Sequence, residues 1–500
     1  MASTLDISRL SFGAPAAERD IDQGLQDYFV ESPAFDRVRN GQKKIILGNR
    51  GTGKSAIFQV LAERERKKGA VVLELAPDDY SYEMLSSVLS TELEGAWLKH
   101  GAYAAAWKYL ILVLVMKALS EPSAKQKRTK AAAEIHRFLR DNFADQQASK
   151  IDSLISFLKR MEGFKVGKVE ARVKTRELQR LYKLEELDPL LPHLADMLKR
   201  RRVLVFVDEL DRGWDASEDA KAFVSGLFQA CAKLNDFSDN LRVYVSLRQE
   251  LYDSIPAVYE DAQKYRDLIE EINWEEASLL KLIANRIRFS LPQLASKDDD
   301  VCWAAIFSEV LEYRQSRSFN YMVDRTLYRP REMIEFATRA VEVAQDRAPD
   351  AYPVDYSALS EAENRYSGER TKDIAAEYRF QFPGLSSLFE VFRGHPYSFE
   401  RSWLEDRCLE VAIGDTSVDE SARGWAAEMS PELLIDVLWK VGFLRAQAVG
   451  GVKARRRSGS QYVGPHQIAN LSLHNIARFQ VHPMFRSNLG MKEPKSRGAD

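Results

Sequence analysis

GNRGTGKS, Gly48 to Ser55, is the stretch on which the reading of this chain turns. It has the spacing G-x-x-x-x-G-K-[ST], whose glycines let backbone N–H groups turn inward around phosphate oxygens while the following helix offers its N-terminal donors and positive dipole end. Upstream, KKIILG (Lys43 to Gly48) is a short apolar run rich in β-branched residues and reads as a buried strand. Downstream, SAIFQVLAERERKK (Ser55 to Lys68) places Ile57, Phe58, Val60 and Leu61 on one face of an amphipathic helix. Strand, glycine loop and helix in this order predict a phosphate cradle built from Gly48, Asn49, Arg50, Gly51, Thr52, Gly53, Lys54, Ser55 and Ala56. Lys54 is expected on the β- and γ-phosphates of ATP and the Ser55 hydroxyl on Mg²⁺.

Further strands are expected at AVVLEL (Ala70 to Leu75), VLVFVDELD (Val203 to Asp211), LRVYVSLR (Leu241 to Arg248) and Leu268 to Trp274. Their alternation with helical patterns implies an α/β fold with a parallel sheet covered on both faces. Ligands of such sheets bind beyond the C-terminal strand ends, and VLVFVDELD ends there in acids, on a strand expected to neighbour the loop's own. Asp208 is expected to hold Mg²⁺ through water, and Glu209 to orient and deprotonate an attacking water. Arg248, ending its strand, is placed to sense a γ-phosphate; Arg331 or Arg329, in RPRE, to reach the phosphates from a lid. Arg212 is a candidate arginine finger across a subunit interface.

Outside the sheet, residues from about 80 to 200 read as a mostly helical insertion, with a candidate β-ribbon at FKVGKVEARV (Phe164 to Val173) and a basic run AKQKRTK. In AWKYLILVLVMKAL the uninterrupted apolar run, Tyr109 to Met116, falls short of the ~20 residues of a membrane span, so a buried core helix is expected. A helical lid follows from Glu275 to Arg347, and the Pro-bearing stretch Asp346 to Ser357 marks a boundary. The last module, residues 358–490, runs through SPELLIDVLWKVGFL, a basic tip GGVKARRRSGS, then QYVGPH and ARFQVHPMF as returning strands. Helix, hairpin and basic tip in sequence are the shape of a winged helix, with Lys453, Arg455, Arg456 and Arg457 positioned for nucleic-acid phosphates or for solvent. The resulting division is an N-terminal arm (1–40), an ATPase core (41–274), the lid (275–347), the winged-helix-like module and a polar tail (491–500).

Composition narrows the classes further. Lys+Arg 72 against Asp+Glu 74 gives a net charge of -2, so any nucleic-acid surface must be local. The three cysteines, Cys231, Cys302 and Cys408, lie far apart without metal-ligand spacing, and MASTLDISRLSFGAPAAERD lacks the apolar core of a signal peptide. A cytoplasmic protein with no membrane partner is expected. His466, His482, Trp214 and Trp274 read as packing residues.

The motifs GNRGTGKSAIF, VDELDRGW, VSLRQELY, RPREMIEF and FQVHPMF resemble a bacterial family of P-loop ATPases in the AAA+ and STAND-like branch of the additional-strand class, over Phe12 to Leu489. That resemblance implies a 5-1-4-3-2 strand order, and kinship with proteins that act in antiviral defence or assemble on DNA. No LSGGQ or NKxD motif is present, and no second-region-of-homology arginine of ring-forming AAA+ proteins is recognisable. Three readings follow: an ATP-driven regulatory or defence switch acting through a protein effector, a DNA-binding initiator or loader, and an ATP-gated oligomerisation scaffold with little turnover.

Overall fold

The computed structural model describes residues 10–76, 96–120, 129–142, 187–211, 214–255, 265–311, 316–348, 352–447, 462–468 and 471–492. The ribbon expected at Phe164 to Val173, Arg212 and the basic residues Lys453 and Arg455 to Arg457 lie outside them. Packing separates two units: a sheet unit (Glu31–Asn49 and Lys54–Ile272) and a helical unit (Met1–Val30, Arg50–Gly53 and Asn273–Asp500).

The sheet unit holds strands β1 (Ile45–Gly48), β2 (Val71–Leu75), β3 (Val203–Val207), β4 (Leu241–Arg248) and β5 (Ile269–Glu271) in the order β2-β3-β4-β1-β5. All are parallel, and this is the expected 5-1-4-3-2 order. Every residue of β1 and β3 is buried, which their unbroken apolar sequences require. The helix Lys54–Lys67 is seated on the sheet through Phe58, whose ring lies 4.9 Å from Phe206, itself stacked on Tyr244 at 5.2 Å. On a further face the helix Ala96–Ser120 packs along Glu218–Asn235. Gly226 permits that approach, because a Cβ there would meet the Ala104 nitrogen at 2.6 Å, and Trp107 Nε1 donates to the Phe223 carbonyl at 3.1 Å. The apolar stretch is longer than its uninterrupted run suggests: Tyr103–Ser120 is long and apolar enough to cross a membrane by composition, yet 78% of it is buried in the fold. Residues 31–40 join this unit, with Arg37 bridging Glu270 at 2.6 Å and Tyr244 Oη donating to the Val38 carbonyl.

In the helical unit, Glu276–Ser290, Asp299–Ile306, Ser318–Val323, Pro330–Arg347 and Tyr356–Glu377 surround one hydrophobic core that runs from Phe12 to Leu489. Phe336 stacks on Tyr366 at 4.6 Å across the stretch Asp346 to Ser357, so packing draws no line where the sequence turns polar. Residues 10–30 belong here: buried Asp20 accepts from Tyr28 Oη at 2.8 Å and pairs with Arg286 at 2.9 Å. Near the C-terminus Ser430 caps the helix Pro431–Lys440, which leads into the strand Leu444–Gln447. That strand pairs antiparallel with both Tyr462–Val463 and Arg478–Val481, as the sequence order implied, and the unforeseen Ser398–Glu400 completes a sheet of four.

Candidate functional site

In the sheet unit, β1 ends at Gly48, level with Arg248 at the end of β4. β4 stands between β1 and β3, so the acids that follow Val207 come from two strands away from β1, a correction to the expectation of an adjacent strand. Ser246 on β4 donates its hydroxyl to Asp208 Oδ1, which also accepts from the Glu209 N–H at 2.9 Å, and the Asp208 N–H is tied to the Leu75 carbonyl at 3.0 Å. The Asp208 carboxylate is thereby held in one orientation. Glu209 has φ 58, in the left-handed region that side chains other than glycine and asparagine disfavour. Backbone strain of this kind concentrates at functional sites, which makes Glu209 a candidate on geometry as well as chemistry.

Lys54 opens its helix and donates to the Gly48 and Asn49 carbonyls at 2.7 and 3.1 Å. Burial holds its pKa below the ordinary lysine value, against the opposing charges of Glu250, Asp208 and Asp211. Arg248 is ion-paired with Asp211 and lies 3.8 Å from Glu250, so the guanidinium expected to sense a γ-phosphate is already engaged by acids. Lys54, Asp208, Asp211, Arg248 and Glu250 thus form one charged cluster at the strand ends. Ser246 and Glu250 were not singled out from sequence. Ser246 sits inside an apolar strand, and Glu250 lies in the first turn of a short helix, Gln249–Asp253, that reads as solvated until its burial is seen.

The loop residues Arg50–Gly53 pack within the helical unit. Gly51 and Gly53 have φ 82 and 95, and nothing approaches within 4 Å of where a Cβ on Gly53 would stand, whereas a Cβ on Gly51 would meet Arg331 Cβ at 3.1 Å. The Thr52 carbonyl accepts from Trp274 Nε1 at 2.9 Å and the Gly51 carbonyl from the Arg331 N–H at 3.3 Å. Trp274, read as packing alone, therefore also fixes the loop. The two candidate lid arginines separate. Arg329 is buried and bonded to Glu377 at 2.7 Å, its proton held more tightly still, whereas Arg331 lies against Gly51 with Nε donating to the Pro15 carbonyl at 3.3 Å. Burial and the charge of Arg50 lower the pKa of Arg331.

These residues fit a nucleotide triphosphate with Mg²⁺. The glycine geometry leaves open space at Gly53, Lys54 supplies a cation, and Ser55 and the oriented Asp208 offer the hard oxygen donors that Mg²⁺ prefers. Among the histidines, His482 accepts from the Met484 N–H at 3.2 Å and His466 stacks on Tyr328 at 4.6 Å, both in packing roles.

Residues 11–212 match the family model described as ORC-CDC6-like, and residues 277–375 match a FunZ-associated C-terminal helical domain. An Escherichia coli (strain K12) protein described as an 80.3 kDa protein of transposon gamma-delta is 23% identical over 493 residues, covering 96% of this chain and 67% of that protein. Among solved structures, the Aeropyrum pernix ORC2 protein in ADPNP-ADP complexes aligns over 94% of this chain and 92% of its own, at 11% identity and TM-score 0.35. Its ADP form aligns at 11% identity and TM-score 0.29, over 93% and 95% of the two chains. The fold is that of an α/β P-loop NTPase, carried by the strand order and the glycine loop that follows β1.

Proposed function

We propose that this chain is a Mg²⁺-dependent ATPase of initiator type, which couples ATP binding and hydrolysis to contact with DNA through its C-terminal module. The observation that carries the reading is the charged cluster of Lys54, Asp208, Asp211, Arg248 and Glu250 at the C-terminal edge of the sheet, beside Glu209 in a strained turn. The initiator type is supported by the ORC-CDC6-like match. A DNA partner is favoured over the defence-switch reading by a relative described as belonging to a transposon and by Lys453, Arg455, Arg456 and Arg457, which lie in sequence between the paired strands Leu444–Gln447 and Tyr462–Val463. Three free, buried thiols agree with a cytoplasmic setting.

In this mechanism Lys54 and the loop amides hold the triphosphate. Bound Mg²⁺ would supply charge neutralisation on the phosphate oxygens, held by Ser55 and, through water, Asp208. Ser246 keeps Asp208 turned toward that duty, leaving Glu209 to take the proton of the water that attacks the γ-phosphorus, while the bond from that phosphorus to the β–γ bridging oxygen breaks and ADP departs.

ATP hydrolysis by the whole chain, with and without duplex DNA, tests the reading. Turnover that depends on Lys54 and rises with DNA supports it; turnover with no salt-dependent DNA binding removes the initiator type. Reversing the four basic residues should flatten the salt dependence, by up to about 0.9 in slope for each DNA phosphate that is no longer neutralised. A nucleotide-dependent change of mass without turnover would instead support the scaffold.

A further inference from the structure

Within the helical unit a cavity of ≈ 370 Å³ gathers the guanidinium groups of Arg19, Arg50, Arg329, Arg331 and Arg370. Two of these are neutralised by the acids on the same wall. Arg329 binds Glu377 at 2.7 Å and lies 3.7 Å from Glu332. Arg370 binds Glu335 at 2.8 Å and Asp373 at 2.5 Å. All four carboxylates of the wall are thus committed to Arg329 and Arg370.

The other three differ. Among the described residues, Arg19, Arg50 and Arg331 have no carboxylate at ion-pair distance, and the Arg331 side chain donates only to the Pro15 carbonyl. Glu335 and Glu18 act on Arg331 from further away, while Arg50 and Arg370 oppose its charge. Like charges gathered in a partly buried concavity repel unless an anion joins them. Phosphate is the matching anion: one planar fork satisfies the two oxygens of a carboxylate, whereas three forks need the three or four acceptor oxygens and the double charge of a phosphate.

We propose that this cavity is a binding site for a small phosphate-bearing molecule, held by Arg19, Arg50 and Arg331 and distinct from the Lys54 cradle. It includes Arg50 of the phosphate loop but requires neither Lys54 nor Asp208. Inorganic phosphate and a phosphomonoester offer the same chemistry to these forks, and the volume admits either.

Calorimetric titration of the full chain carrying Lys54→Ala, with inorganic phosphate and with ribose 5-phosphate, tests it. Binding should persist in Lys54→Ala, and adding Arg19→Gln or Arg50→Gln should weaken it about tenfold each. Adding Arg339→Gln, on an exposed helix face, should leave it unchanged. Tighter binding of ribose 5-phosphate identifies an organic phosphate as the ligand; equal or tighter binding of the inorganic ion identifies free phosphate. The proposal is overturned if Lys54→Ala alone abolishes binding, if Arg19→Gln and Arg50→Gln leave it unchanged, or if the folded protein, checked by circular dichroism, binds neither probe. Wild-type ATP hydrolysis is measured in parallel, so that absent turnover with intact phosphate binding rejects the ATPase reading and spares this one.

Discussion

The sheet edge around Lys54 and the first turn of the helix Pro330–Arg347 both gather cations, and they balance them differently. At the sheet edge each cation has acids at hand: Lys54 lies in the field of Glu250, Asp208 and Asp211, and Arg248 is paired with Asp211. In the helical unit the balance is split between near neighbours in sequence. Arg329 is enclosed by Glu377 and Glu332, while Arg331 meets a second cation, Arg50. Residue type therefore says little about role. An arginine with buried acids on it holds helices together, and one facing another arginine is poised for an anionic ligand.

The largest effect that would sharpen this contrast lies at the sheet edge. Glu209→Gln should lower kcat by about 10²- to 10⁴-fold, the range of general-base catalysis, with ATP affinity kept. Phosphate release and fluorescent-nucleotide titration measure the two, and a parallel drop in affinity would move Glu209 from proton transfer to nucleotide holding. Next come the two arginines. Arg329→Ala strands two buried carboxylates and should cost about 3–5 kcal/mol in urea unfolding. Arg331→Ala should cost under about 0.5 kcal/mol while weakening the binding of inorganic phosphate, and equal destabilisation by the two would break the comparison.

Smaller effects follow. Ser246→Ala removes the hydroxyl that orients Asp208, and a cost of about 1 kcal/mol, roughly fivefold in kcat, is expected from one hydrogen bond. The weakest is a pH effect at Glu332, whose pKa burial raises to about 7 despite Arg329 and the Leu327 N–H. Its folded pKa exceeds its unfolded one, so its neutral form contributes stability that is fully present below the ordinary carboxyl range and lost as pH rises through about 7. Glu332→Gln should flatten stability between about pH 4.5 and 7, followed by thermal melting. An unchanged slope would show that Glu332 stays ionised there.

Much of the sheet was legible because its signals are local. Ile45–Gly48 and Val203–Val207 are apolar runs too short for helices, and the loop declares itself by glycine spacing. Asp208 and Glu209 stood out because they end a strand. Ser246, Glu250 and Trp274 did not, since nothing within their own segments says that a hydroxyl will face Asp208, that a carboxylate will be buried beside Lys54, or that an indole will bond the Thr52 carbonyl. The polar stretch Asp346 to Ser357 carried the opposite lesson. Its composition marks a boundary, yet Phe336 and Tyr366 pack across it.

By itself the sequence determined the five strands of the parallel sheet and the phosphate loop, because hydrophobic period, glycine freedom and strand-end acids are properties of a few consecutive residues. Tertiary structure alone decided which charges are compensated. Arg329 and Arg331 differ by the helix Tyr356–Glu377, whose Glu377 reaches one and not the other, and burial by distant segments sets the price of leaving a charge unpaired.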